Sequence, residues 1–473
     1  MALHSDYEIR WKNYRAFEDT GWIKIRPLTV LIGPNNSGKT SITSPLLLLD
    51  QTMSSRDAVT PLVTRGPLVD AGPFKNIVRN HDTGRAVFFG LRYHIHDQKG
   101  KIGEVGTYPP GAAEVTLAAG DRSEEIVLRR FELFDLCKRP FLRQSRNSNG
   151  TYTLVSEPLK SMKAKERRAV RNTRPVNFLF SPAAVLRTLE TAEKRHDEKA
   201  QFDEPSRSFS MYLGALSIAF GELGDLFRNL SYVGPLRERP RRYYQIASEM
   251  PVSVGSRGEH MANLVRRRLP EFRQKLNSWI RRFEFGSGLV VNSLSDELFS
   301  LSFEGNSPRT RTNIADAGFG ASQVLPLMVQ ALAAERQSLT IAEQPEIHLN
   351  PRLQYLLADL FVEMANGDHR VIVETHSEHL LLRLRRLVAS GKIAPASVAL
   401  YFVEKKGGAS GIRHIPIEGN GHIDSDAWPT GFFEDSLRES LALAAEQSRK
   451  PAQRTNLTDR HPSGRNERRL DAS

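Results

Sequence analysis

Gly33-Pro-Asn-Asn-Ser-Gly-Lys-Thr40 is the first stretch of this chain whose residue types and spacing could do chemistry. It fits G-x-x-x-x-G-K-[ST], a pattern in which glycines let successive backbone N–H groups face phosphate oxygens. Gly33 and Gly38 would make the turn, with Asn35, Asn36, Ser37 and Ser41 lining the cradle. Lys39 would reach the β- and γ-phosphates of a nucleotide, and Thr40 would ligate Mg²⁺. Such a site also calls for a carboxylate at the end of a second apolar strand, and Ser338-Leu-Thr-Ile-Ala-Glu343 supplies one. Thr40 and Glu343 are therefore the expected metal ligands, with ATP and Mg²⁺ as the expected cofactors.

The residues that follow Glu343, Gln344-Pro-Glu-Ile-His-Leu-Asn-Pro351, carry the rest of the reaction. After the next apolar strand come Thr375 and His376, so a neutral imidazole would sit at the carboxyl edge of the sheet, where it can orient water beside a γ-phosphate. Gln344 can also orient water but cannot accept its proton at physiological pH. Glu346, two residues on, either compensates or leaves hydrolysis slow. Lys39, Glu343, Gln344, Glu346 and His376 form the expected catalytic set. Phosphoryl transfer depends largely on positioning and charge neutralisation, so the amide at Gln344 does not by itself exclude turnover.

Positioning these groups requires a particular set of elements. The apolar run Thr29 to Ile32 reads as a strand entering the Gly-rich turn, and a helix is expected from about Gly38 to Met53. Near the other end the pattern reads strand (Leu339 to Ala342), helix (Arg352 to Met364), strand (Arg370 to Glu374), helix (Glu378 to Ala389) and strand (Val398 to Val403). That alternation predicts a mainly parallel α/β sheet, which both ends of the chain would share. Between them, strand-like pieces such as Arg85 to Ile95 mix with helical ones such as Ser208 to Asn229 and Gly258 to Phe283.

Composition bounds the function classes. Hydrophobic residues at 40% and charged residues at 25% are ordinary globular usage, which argues against wholesale disorder, collagen-like structure or a fibrous coiled coil. The single cysteine, Cys137, makes no intramolecular disulfide and holds no metal cluster alone. With no apolar run long enough to span a bilayer and no leader-like N-terminus, the expectation is a soluble, cytoplasmic protein without a membrane partner. A net charge of +12 favours polyanionic partners. The basic residues crowd into Lys138, Arg139, Arg143 and Arg146, then Lys160, Lys163, Lys165, Arg167, Arg168, Arg171 and Arg174. They read as a solvated face or a contact for DNA or RNA, although no aromatic residues are interleaved at stacking spacing. From residue 447 on, the polar tail should be disordered.

The order of these motifs carries a family resemblance. A phosphate loop, then Gly318-Phe-Gly-Ala-Ser-Gln323, then an acidic strand end, a Pro-containing turn and a His after the next strand resemble the ABC-type ATPase head. The acidic motif resembles more closely the bacterial AAA ATPases of the RecF and overcoming-lysogenization-defect (OLD) group. Ile417-Glu-Gly-Asn-Gly-His-Ile-Asp424 with Trp428 to Glu434, and Tyr232-Val-Gly-Pro-Leu-Arg-Glu-Arg239, resemble a branch carrying a small uncharacterised C-terminal module. The resemblance implies that Gly320, Ser322 and Gln323 open a helix meeting the γ-phosphate held by an opposite subunit, giving two composite sites per head-to-tail dimer. It also implies that Asn350 lies in a loop crossing that interface, and that His376 is the switch histidine.

The resulting expectation is an α/β P-loop NTPase of ABC-ATPase head type, with a mixed, mainly parallel sheet, helices on both faces and a large α+β insertion. Residues 1–95 and 311–405 would form the head, 96–310 a basic inserted lobe, 406–446 the small module and 447–473 the tail. The chain would act as a homodimer or higher homo-oligomer, coupling nucleotide state to DNA handling or to an effector protein, in antiviral defence or in repair. A slow nucleotide switch is the alternative. Asp424-Ser-Asp426 invites a Toprim nuclease reading, but the chain after His376 is too short for that chemistry. An SMC-like coiled-coil arm finds no heptad run in the middle.

Overall fold

The computed structural model describes residues 7–93, 110–120, 125–157, 159–194, 204–305, 310–424, 426 and 428. Residues 429–473 lie outside it, and with them residues 429–446 of the expected module and the whole expected tail. The chain divides at Trp428 into two units, and the first of them holds every described element.

Its functional half is a six-stranded sheet in the order Leu230–Val233, Leu339–Glu343, Arg370–Glu374, Leu28–Ile32, Val398–Lys406, Ala409–Ile415. The first five strands are parallel, and the last turns back antiparallel through the hairpin at Gly407-Gly408. Alternate residues of a strand face opposite sides, and these strands are apolar on both. Leu31, Ile341, Ile372, Ala399 and Tyr401 join the core cluster that contains helix Thr40–Met53. Val30, Val371, Val373 and Leu400 are buried on the other face, where helix Pro351–Asn366 packs against the two central strands. Helices on both faces of a mainly parallel sheet, with the phosphate loop leaving a central strand, are the P-loop NTPase architecture of ABC-head type expected from the sequence.

A second, antiparallel sheet runs Phe17–Asp19, Tyr7–Tyr14, Val87–Tyr93, Pro110–Ala119, Ile126–Asp135, Pro140–Arg146, Tyr152–Val155, with Ile23–Ile25 also paired to Tyr7–Tyr14. Helix Thr40–Met53 is buried from Ser41 to Thr52, polar residues included, because it is sandwiched. Ile42 and Leu46 to Leu49 fill the space between the two sheets, and Trp11, fully buried, donates its indole N–H to the Ile42 carbonyl at 2.8 Å. Helix Arg207–Arg228 closes this layer, with the Tyr212 hydroxyl donating to Gln144 Oε1 at 3.0 Å. A third, small sheet of Tyr244–Gln245, Gly288–Ser293, Leu298–Glu304 and Arg311–Asn313 accompanies helix Met261–Arg282.

Two placements bear on the site. Strand Leu230–Val233 lies within residues 96–310, yet it forms an edge of the parallel sheet, pairing Tyr232 with Ile341 and Val233 with Ala342. Residues Ile417 to Asp424 close a turn in which Arg385 donates Nε–H to the Gly421 carbonyl at 2.9 Å, so this segment is fastened to helix Glu378–Ala389. A side chain at Gly421, φ +78°, would meet the Arg385 carbonyl at 2.4 Å.

Candidate functional site

The phosphate loop leaves the sheet at Ile32, and its two glycines are required by close approach. A Cβ on Gly33 would lie 2.1 Å from the Val403 carbonyl oxygen, and one on Gly38, at φ +102°, would meet Ser410 Oγ at 2.9 Å. The Ser410 hydroxyl donates to the Ser37 carbonyl at 2.6 Å, so the antiparallel edge strand braces the loop from below. Asn36 takes the left-handed conformation (φ +57°), and with Asn35 is exposed; Ser37 and Ser41 are buried. Lys39 is 4% exposed, and its Nζ donates to the carbonyls of Gly33 (3.0 Å) and Pro34 (2.8 Å). Burial lowers its pKa, against the opposing pull of Glu374, Glu346 and Glu343. A loop with no room for a side chain at Gly33 or Gly38, a lysine folded over it, and a buried Ser37 Oγ with no partner among the described residues fit the phosphates of a nucleotide.

Parallel register brings the acidic residues together. Glu343 and Glu374 end neighbouring strands and are direct partners in the pairing, while Glu374 pairs with Leu31 on its other side. The Thr40 hydroxyl lies 3.1 Å from both carboxylate oxygens of Glu374 and 3.4 Å from Glu343 Oε1. Burial, then the neighbouring Glu343 charge, pushes Glu374 up to about 7, with Lys39 pulling the other way. Two carboxylates and a hydroxyl form an all-oxygen donor set suited to Mg²⁺. Sequence reasoning named Thr40 and Glu343 and missed Glu374. The signal was there: Leu-Thr-Ile-Ala-Glu and Arg-Val-Ile-Val-Glu are strands of equal length ending in the same residue.

The turn after Glu343 is tied to the turn after Glu374. Gln344, in the left-handed region at φ +43°, donates its backbone N–H to the Glu374 carbonyl at 2.7 Å. Glu346 accepts the His376 backbone N–H at Oε1, 2.7 Å away, while its Oε2 is buried without a partner among the described residues. Burial raises the Glu346 pKa, and the His376 N–H, its own backbone N–H, the Thr375 side chain and, least of these, the Arg237 charge hold it back. His376 is half-buried, and burial with the nearby Lys39 charge lowers its pKa, favouring the neutral imidazole. Thr375 and Ser377 fix the segment: Ser377 caps helix Glu378–Ala389 by accepting the Leu380 N–H at 2.9 Å, and donates to Gln354 Oε1 at 2.6 Å.

Two further residues reach the site from strand Leu230–Val233 and its exit. The Tyr232 hydroxyl donates to Glu343 Oε2 at 2.6 Å, and Arg237 Nη2 donates to the Glu343 carbonyl at 3.2 Å. Burial, then the Glu343 charge, raises the Tyr232 pKa. Arg237 is 6% exposed, and burial lowers its pKa to about 10. Their motif is visible in the sequence, but no role could be read there because the strand pairing that aims them spans more than a hundred residues.

The structure thus gathers Lys39, Thr40, Glu343, Glu346 and His376 at the carboxyl ends of adjacent parallel strands. Among the described residues, no hydrogen bond links Gly320, Ser322 or Gln323 to that group. Gly318 precedes helix Phe319–Ala333; Gly320 is half-exposed and Ser322 and Gln323 are buried, the Ser322 hydroxyl donating to the Phe319 carbonyl at 2.6 Å. The exposed Phe319 ring stands edge-on to His348 at 4.8 Å, linking this helix start to the turn after Glu343. Asn350 caps helix Pro351–Asn366, its side chain accepting the Leu353 N–H at 3.0 Å.

The basic cluster is partly spent locally. Arg139 pairs with Asp135 at 2.8 Å, Arg143 with Glu132 at 2.5 Å, and Lys163 Nζ donates to the Glu204 carbonyl at 2.7 Å. Lys160, Arg167, Arg168 and Arg171 line a cavity of about 670 Å³ against strand Tyr152–Val155. Among the described residues, no helix is long and apolar enough to cross a membrane, and no group of three or more His, Cys, Asp or Glu side chains could hold a metal.

Most of the chain matches one described family. Residues 28–383 match the family described as "AAA domain, putative AbiEii toxin, Type IV TA system", and residues 393–443 match "Protein of unknown function (DUF3696)". No curated protein matches the chain. Similar solved structures include SMC heads. An SmcHead bound to the C-winged helix domain of ScpA is 12% identical, covering 87% of this chain and 97% of its own, with a TM-score of 0.41. The SMC head domain from Thermotoga maritima is 11% identical, covering 88% and 100%, at 0.35. An Smc head with an extended coiled coil, bound to the C-terminal domain of ScpA derived from Pyrococcus furiosus, is 12% identical, covering 94% and 99%, at 0.37.

Proposed function

The chain belongs to the AAA-domain family that residues 28–383 match, and from that premise we propose that it is a Mg²⁺-dependent ATP hydrolase whose nucleotide state controls its association with a second copy and with a partner. The observation that carries this reading is the convergence of Lys39, Thr40, Glu343, Glu374 and His376 where three adjacent parallel strands end. When bound, Mg²⁺ would supply charge neutralisation across the β- and γ-phosphates. Thr40 and Glu343 would hold it, with Glu374 beside them. Asn35, Asn36, Ser37, Gly38 and Ser41 would offer the loop's polar groups to the phosphates. Gly320, Ser322 and Gln323 open a 15-residue helix whose N-terminus, with Phe319 exposed and Gly320 half-exposed, suits a γ-phosphate presented by another subunit.

Coupling to an effector, within bacterial antiviral defence, is favoured over a RecF-like repair role by the toxin–antitoxin description of the family. DNA or RNA would contact the cavity lined by Lys160, Arg167, Arg168 and Arg171, through phosphates and without sequence preference. The test of the central reading is Lys39→Ala. Titration with a fluorescent ATP analogue should show binding reduced at least about tenfold and turnover lost, as removal of the cation over the phosphates requires. Unchanged affinity in folded variant protein rejects the site.

A further inference from the structure

We propose that Arg237 is a positioning residue for Glu346, and that the two together hold the water that attacks ATP, Glu346 taking its proton in place of Gln344. The inference rests on the hydrolytic reading above. Arg237 is the only guanidinium among the described residues that is bonded to the Glu343 turn, and it is 6% exposed. One of its donors, Nη2, meets the Glu343 carbonyl, whereas Nε and Nη1 are buried with no partner among the described residues. A buried cation with most of its donors unmatched is costly. A brace for one backbone carbonyl does not need it, since a neutral donor would serve.

What the guanidinium faces explains its presence. The groups that act on its charge are the carboxylate of Glu346, the Tyr232 hydroxyl and the carboxylate of Glu343, in that order. Glu343 is already engaged, by Tyr232 at Oε2 and by Thr40 at Oε1. Glu346 accepts the His376 N–H at Oε1, and its Oε2 is buried with no partner among the described residues. Unmatched donors on a buried guanidinium and an unmatched acceptor on a buried carboxylate, on the turn that leaves the Glu343 strand, suit one water held between them.

In the step this implies, the water oxygen bonds to the γ-phosphorus while the bond from that phosphorus to the β–γ bridging oxygen breaks. ADP leaves with the bond's electron pair, and the water proton passes to Glu346 Oε2. Gln344 has no capacity for that proton. Its backbone N–H is instead committed to the Glu374 carbonyl.

The experiment compares full-length wild type with Arg237→Gln, Arg237→Lys, Glu346→Gln and the Arg237→Gln/Glu346→Gln double variant. Each is measured by single-turnover ATP hydrolysis and by titration with a fluorescent ATP analogue. Glu346→Gln keeps an acceptor for the His376 N–H and should slow cleavage by roughly a hundredfold or more, the scale of a lost general base. Arg237→Gln should slow it by about tenfold or more with nucleotide affinity within about twofold, Arg237→Lys should recover part of that loss, and the double variant should be no slower than Glu346→Gln. Three results overturn the inference: an Arg237→Gln rate equal to wild type, a double variant slowed by the product of the two single losses, or affinity falling in step with rate. Should Arg237→Gln fail to fold, Arg237→Lys alone and combined with Glu346→Gln carries the same comparison. Wild-type protein that binds ATP and never cleaves it overturns the hydrolytic reading itself, and that result is in hand before any variant is compared.

Discussion

Glu374 receives the Thr40 hydroxyl between its two carboxylate oxygens, each 3.1 Å away, so the last residue of strand Arg370–Glu374 closes on the first residue of the phosphate-loop helix. The pairing of Glu374 with Glu343 across parallel strands places a second carboxylate next to the expected metal ligand. Two acidic groups in such proximity repel unless a cation or a proton comes between them.

Glu374→Gln should therefore separate metal binding from nucleotide binding. The Mg²⁺ concentration that half-saturates turnover is expected to rise about tenfold, a change worth ~1.4 kcal/mol, because one of two anionic donors is gone. Binding of the ATP analogue in the presence of a chelator should hold or improve, since less negative charge then faces the phosphates. Calorimetric Mg²⁺ titration with the analogue present checks the first claim; a Mg²⁺ dependence equal to wild type rejects a role for Glu374 at the metal.

The helix start at Gly318 to Gln323 gives a prediction about assembly. Ser322 is buried, so a large residue there would test folding rather than an interface. Gly320 is the better probe: a Cβ at that position meets only Leu349 Cδ2 at 3.5 Å and Leu353 Cδ1 at 3.6 Å, which is ordinary contact. Gly320→Arg should leave ATP binding to the single subunit intact and abolish association induced by a non-hydrolysable ATP analogue, read by sedimentation. Association equal to wild type argues against a nucleotide bridged between this helix and a second copy.

How much of the site was legible before folding depends on the range of the interactions. The phosphate loop and the strand–helix alternation from Leu339 to Val403 are local patterns, and the structure places those strands within a few residues of the expected ends. His376 was legible because it follows an apolar strand directly. Glu374 was overlooked because its importance lies in register with Glu343, thirty-one positions away, and not in its own neighbours. Tyr232 and Arg237 depend on strand Leu230–Val233 joining the parallel sheet beside Leu339–Glu343. Nothing local distinguishes that strand from the mixed elements around it. The long antiparallel sheet was hidden for the same reason, since Tyr7–Tyr14 finds Val87–Tyr93 only in three dimensions.

Asp50 supplies a stability prediction independent of catalysis. It lies on the sandwiched helix Thr40–Met53, 8% exposed, with the Ser54 hydroxyl 3.4 Å from Oδ1. Burial pushes its carboxyl up to about 7 from 3.8. The folded state therefore binds this proton more tightly than the unfolded chain, so the group stabilises least at high pH: stability is lost as pH rises from near 4 and levels off above about 7. Each tenfold difference in proton affinity is worth roughly 1.4 kcal/mol. Asp50→Asn should then raise the thermal midpoint at pH 8 by several degrees and leave it nearly unchanged at pH 4. A midpoint difference independent of pH rejects the protonated Asp50.

Gln344→Glu decides between the amide and Glu346 as the residue that limits turnover. If the amide is a brake, a carboxylate there restores a proton acceptor and the single-turnover rate rises. The geometry argues for the opposite sign. Gln344 is set by a left-handed backbone and by its N–H bond to Glu374, at the junction of two strands that already end in carboxylates, with Glu346 two residues on. A fourth carboxylate adds repulsion toward the γ-phosphate, and it competes with Glu346 for the same proton without an arginine placed to hold it. The expected rate is flat or lower by up to about tenfold, on the modest scale of a nearby charge rather than of a lost base. An increase of tenfold or more would show that Glu346 is not the acceptor, and Glu346→Gln in that background would then cost little.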